Sequence, residues 1–126
     1  MPPARIPYEL KFEKRPDYLY AFVRAKTIDR DTAIDYLGRI ADRCEDLECT
    51  KLLLERDIPV MLSDSDLYFT TNEFLRMLKG VKVAFFNPHI SIEKAMEFAI
   101  TIGTTSGAKF SLFNTIADAE EWLLAD

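Results

Sequence analysis

The chain has 126 residues, a hydrophobic fraction of 48% with nine Phe and five Tyr, and a net charge of −5. That is enough apolar material for one packed core, and the length fits one domain spanning 1–126. Basic residues are scattered and the balance is acidic, which excludes a nucleic-acid groove and electrostatic docking to an anionic membrane. No apolar run approaches the roughly 20 residues of a membrane helix.

Residues 1–7 carry Pro2, Pro3 and Pro7 and read as a loose lead-in without the apolar stretch of a signal peptide, so a cytoplasmic location is expected. Tyr8, Leu10 and Phe12 then alternate with Glu9, Lys11 and Glu13, the period of a strand with one buried and one wet face. Lys14 to Asp17, with Pro16, makes a turn, and Tyr18 to Ala25 is a second strand, so the two form an antiparallel hairpin. Ile28 to Leu47 is a helix with Ile34, Leu37, Ile40, Ala41 and Cys44 on one face; Asp29 is its N-cap and Asp31 suits its positive end. Lys51 to Glu55, with Leu52, Leu53 and Leu54 in succession, suits a strand near the middle of a sheet.

A loop from Arg56 to Asp66 follows, broken by Pro59 but holding Ile58, Val60, Met61 and Leu62. A second helix begins near Ser65, turns Leu67, Thr71, Phe74, Leu75 and Leu78 inward, and stops at Gly80. Val81 to Phe86 is a strand, and Asn87, Pro88 and His89 turn the chain. Ser91 is the expected cap of a third helix with Ile92, Ala95, Met96, Ala99 and Ile102 inside, and Gly103 and Gly107 mark its exit. Ala108 to Phe113 is the last strand. Thr115 and Asp118 form a capping-box pattern ahead of a helix with Ile116, Ala119, Trp122 and Leu123 inside.

The order is β-β-α-β-α-β-α-β-α: an α/β fold with a mostly parallel five-stranded sheet and an antiparallel strand at one edge. Crossovers of one sense put the strands in sequential order and the helices on one face. Tyr20, Phe22 and Phe86 then point to the other, mixed face, where they form an expected self-association patch for a homodimer.

Catalytic constellations are missing from the pattern. There is no G-x-S-x-G and no glycine-rich phosphate loop among only four glycines, so no cofactor is expected. His89, the single histidine, reads as a polar turn residue. Cys44 and Cys49 stand five positions apart, outside C-x-x-C spacing and too few for structural zinc, so no metal is expected and both read as ordinary free cysteines. The chain is expected not to be an enzyme; Asp64 and His89 are the residues a catalytic reading would use.

The segment that stands out is Leu52 to Leu78, LLLERDIPVMLSDSDLYFTTNEFLRML, in which an apolar strand ends in an acid and a loop leads to Ser-Asp-Ser-Asp at a helix start. With the closing helix Ala117 to Leu123, ADAEEWL, it resembles the STAS domain, the family that includes the anti-sigma-factor antagonists, and is most similar to its uncharacterised SpoIIAA-like branch. The resemblance implies a (βα) superhelix and a regulatory module that binds a protein partner. In that family the loop commonly reads D-S-S-G-L-G, and a Ser in it is phosphorylated to control binding. Ungapped alignment lays Ser63, Asp64, Ser65, Asp66, Leu67 and Tyr68 over the motif, with Asp64 at the phosphorylated position and Asp66 and Tyr68 in place of its glycines. Asp64 then acts as a fixed charge, or Ser63 or Ser65 takes the phosphate at a helix N-terminus, flanked by the repelling Asp64 and Asp66. Ser63 or Ser65 as a plain helix cap is the structural alternative. The residues 56–68 are thus the expected recognition site, through Ser63, Asp64, Ser65, Asp66 and Tyr68. A second reading is a small apolar, lipid-like ligand near Met61, Leu62, Leu67, Tyr68 and Phe69.

Overall fold

The computed structural model describes residues 8–125; the expected lead-in of residues 1–7 lies outside the described residues. The elements are β1 (Glu9–Lys14), β2 (Leu19–Arg24), α1 (Arg30–Asp46), β3 (Lys51–Asp57), α2 (Asp64–Met77), β4 (Lys82–Phe86), α3 (Glu93–Thr105), β5 (Phe110–Phe113) and α4 (Ile116–Leu124). The sheet runs β1-β2-β3-β4-β5, with β1 antiparallel to β2 and all other neighbours parallel, as the strand–helix alternation requires.

Alternation sorts the side chains. Leu19, Ala21 and Val23 of β2, Leu52 and Leu54 of β3, and Val83 and Phe85 of β4 share one face, where they bury Ala33, Ile40, Phe74, Ile92 and Met96 of the helical layer. Asp29 caps α1 by accepting the Thr32 N–H at 2.8 Å, as its sequence position predicts. Gly80, at φ 76°, turns the chain after α2 in a backbone region costly for other residues.

Three expectations need correction. The helices do not all gather on one face. α4 crosses to the other side, where Ala119 and Leu123 pack with Tyr18, Leu53 and Ala84. Lys82 fastens it there, its ammonium donating to the carbonyls of Trp122 at 2.6 Å and Ala125 at 2.7 Å. Ser91 does not cap α3. It lies in a short 3-10 turn, Ile90–Ile92, that feeds directly into the helix, and the Glu93 N–H bonds to the Ile90 carbonyl. Gly103 does not mark the helix exit either. It is buried inside α3, against the ring of Phe110, and the chain leaves at Gly107, at φ 91°.

Candidate functional site

The carboxyl ends of β2 to β4 open on one edge of the sheet, where loops and helix N-termini converge. β3 continues to Asp57, two residues past its expected end, because Arg56 and Asp57 still pair in register with Val23 and Arg24. The connection to α2 is therefore 58–63, and Arg56 and Asp57 point to opposite faces of the sheet.

Ser63 is the N-cap of α2. Its hydroxyl accepts the Asp66 N–H at 3.3 Å, and Ser65 Oγ stands 3.5 Å from it. Asp64 and Ser65 are exposed, Asp66 is half-buried, and Leu67 turns into the core. Tyr68 is 58% exposed. Thus Ser63, Asp64, Ser65 and Asp66 occupy the cap and first turn of one helix with Tyr68 just beyond it, and neither hydroxyl has a base among its hydrogen-bond partners in the described residues. Tyr68 is not alone: Val60, Phe69 and Ile90 are also exposed along this edge, Ile90 by 85%, and the Arg30 guanidinium lies 5.0 Å from the centre of the Phe69 ring. The acidic turn thus shares this end of the sheet with several exposed apolar side chains.

Beneath the loop lies a feature the sequence reading missed. Arg56, 4% exposed, donates from Nη1 to the Ile58 carbonyl at 3.0 Å and from Nη2 to the Val60 carbonyl at 3.0 Å, and reaches the Met61 sulfur at 3.6 Å. These bonds tie the loop backbone down. No carboxylate pairs with Arg56 among the described residues. Arg56 lines a cavity of about 60 Å3 whose other walls include Tyr36, Leu62, Thr70, Phe74 and Met96.

On the opposite face, Asp57 accepts from Arg24 Nε at 2.8 Å and lies 2.7 Å from His89 Nε2. The Arg24 guanidinium, and after it the imidazole, holds the Asp57 carboxyl below the usual carboxylate range. His89 is aimed by Asn87, whose side chain accepts the His89 N–H at 3.0 Å and donates to the His89 carbonyl at 2.8 Å. The histidine read as a polar turn residue thus joins Arg24 as a hydrogen-bond partner of Asp57. Next to it the Tyr20 hydroxyl donates to Glu55 at 2.6 Å, and burial, followed by Glu55, pushes its pKa up.

The expected interface residues share this face, but α4 takes much of it: Tyr20 and Phe86 pack against the cluster beneath that helix. Phe22 lies outside that cluster, with the Arg24 guanidinium 5.0 Å from its ring centre. Cys44 is buried and Cys49 half-buried, both free; a hydrogen bond from Cys44 holds the Cys49 thiol below its ordinary pKa and raises that of Cys44. Among the described residues no group of three or more His, Cys, Asp or Glu could hold a metal ion, and no helix is long and apolar enough to cross a membrane.

No family model matches the chain, and no curated protein matches it in sequence. In three dimensions it is similar to the crystal structure of an anti-sigma factor antagonist from Mycobacterium paratuberculosis. The TM-score is 0.65 at 14% identity, over 97% of this chain and 98% of that one. The match covers nearly the whole of both chains, so the fold is shared: the chain has the SpoIIAA-like, STAS-type fold.

Proposed function

We propose that the protein is a non-catalytic regulatory module that recognises a protein partner through the loop 58–63 and the first turn of α2. The observation that carries this reading is the exposure of Val60, Tyr68, Phe69 and Ile90 at the same end of the sheet as Asp64 and Asp66. Aromatic side chains half out of water beside fixed charges are the composition of a recognition surface, with the rings supplying contact area and the charges register. The similarity to an anti-sigma factor antagonist supports the same role, with Asp64 as a standing negative charge at the position where the family motif has its phosphorylated serine. Ser63 is already occupied as the cap, and Ser65, exposed and capping nothing, is the hydroxyl more open to modification.

The test is quantitative affinity capture from the source cell with the wild-type chain and with Asp64→Lys/Tyr68→Ala, after circular dichroism has shown both to be folded. A partner held by the wild type should fall at least about tenfold with the double variant, the scale of losing one anchoring residue. Equal recovery of every captured protein refutes the site.

The cavity against Arg56 favours a second reading, a small apolar ligand held under the same loop. The two readings are compatible, since an occupant below the loop would set the position of the exposed side chains above it.

A further inference from the structure

The second reading can be taken further, because the cavity contains a charge. Burying a guanidinium removes its hydration, and neutral carbonyls replace it only in part. Arg56 is buried on the helical side of β3 with two backbone carbonyls and a thioether as its partners. The carboxylates at this end of the sheet are elsewhere: Asp57 and Glu55 point to the opposite face, where Arg24, His89 and Tyr20 hold them. Asp64 lies on the exposed outer side of α2 and Asp66 is half-buried. Arg56 is the one charged residue in the cavity lining, no carboxylate lines it, and the remaining walls are apolar except for Tyr36, Thr70 and Thr71. The Thr70 hydroxyl is spent on the Leu67 carbonyl at 3.1 Å.

We infer that this cavity binds an aliphatic carboxylate, with its head group on the Arg56 guanidinium and its tail against Met61 and Leu62. The inference rests on the apolar-ligand reading and adds the head group. Its size agrees. An apolar cavity of roughly 150 Å3 takes a benzene, so about 60 Å3 takes about two to three heavy atoms, close to a carboxylate group alone. The tail must then leave along the loop, whose inward residues Met61 and Leu62 are apolar and only half-buried. Arg56 is also tied to that loop through Ile58 and Val60, so an anion that draws the guanidinium inward pulls on the segment carrying the exposed Val60.

The probe is hexanoate, with hexanol as its uncharged match, titrated into the purified chain and followed by amide chemical shifts and thermal midpoint. Hexanoate should shift amides of 56–71 and raise the midpoint, and hexanol should do neither at the same concentration. Arg56→Met should weaken hexanoate about ten- to a hundredfold, the usual loss for a charge-assisted hydrogen bond. If that variant does not fold, Ala99→Leu answers the question instead. It keeps Arg56 but adds three carbons to the cavity wall, and should abolish the hexanoate response. Equal binding of hexanol and hexanoate overturns the carboxylate assignment and leaves the apolar-ligand reading standing. Binding of neither overturns both.

Discussion

Replacing Gly103 by Ala would test how tightly α3 is pressed onto β5. An ideal Cβ at Gly103 would stand 2.6 Å from Phe110 Cε2 and nearer still to Cδ2. Carbon atoms do not tolerate that approach, so the ring or the helix must move. The ring is hemmed in by Phe85, whose centroid is 5.1 Å away, and by Phe74 at 6.2 Å. It also lines the cavity that Arg56 lines. Alanine gains about 1 kcal/mol over glycine in a helix interior, whereas overpacking a core costs roughly 1–3 kcal/mol. With two aromatic neighbours blocking the ring the steric cost wins, and Gly103→Ala should lose about 1–2 kcal/mol net in urea unfolding. Adding Phe110→Leu should relieve the clash, so a double-mutant cycle should show a favourable coupling of about 1 kcal/mol or more. A Gly103→Ala protein as stable as the wild type, or an additive cycle, would show that the helix is not held against the ring.

Ser63→Ala should cost about 1 kcal/mol in chemical denaturation through loss of the α2 cap, while Ser65→Ala, which caps nothing, should stay within about 0.5 kcal/mol of the wild type. The Asp57 carboxyl is held below its ordinary pKa, so its ion pairs stabilise the fold above about pH 4 and lose that contribution as pH falls further. Asp57→Asn should therefore flatten the acid limb of the stability–pH curve by up to about 1 kcal/mol, partial exposure limiting the effect; an unchanged acid limb refutes it. If the sheet face opposite α1–α3 mediates self-association, Phe22 is the aromatic residue left to do it, and Phe22→Glu should shift a sedimentation-detected dimer toward monomer. A wild-type monomer at all concentrations removes that surface from consideration.

Strand order was legible because consecutive βα units leave few options for right-handed crossovers, and the hairpin was legible in the alternation of Tyr8 to Glu13. The crossing of α4 was not, since an amphipathic helix records that it has a buried face but not against which side of a sheet. The sign was in the strands instead: Leu53 between Leu52 and Leu54, and Ala84 between Val83 and Phe85, are apolar on both faces and ask for cover on both. The end of β3 was misplaced for a related reason. Arg56 and Asp57 look like loop residues by composition, and only register against Val23 and Arg24 shows that they are strand. The acidic turn at Ser63–Asp66 could be found because helix starts have a local chemistry. The Asp57–His89 pair spans 32 positions, and no local pattern announces it.

Because every strand pairs only with its neighbours in sequence, the sheet can grow by adding one segment at a time, with little loop-closure entropy at each step. Helix α4 is the exception, joined to Lys82 across 40 positions and to Tyr18, through Glu120, across 102. The helical side of the sheet can thus consolidate while Leu53 and Ala84 are still open to water, and the nine residues of α4 seal them in a separate, later event. In native-state hydrogen exchange the amides of α4 should accordingly form their own opening unit, released at lower free energy than β2, β3 and β4.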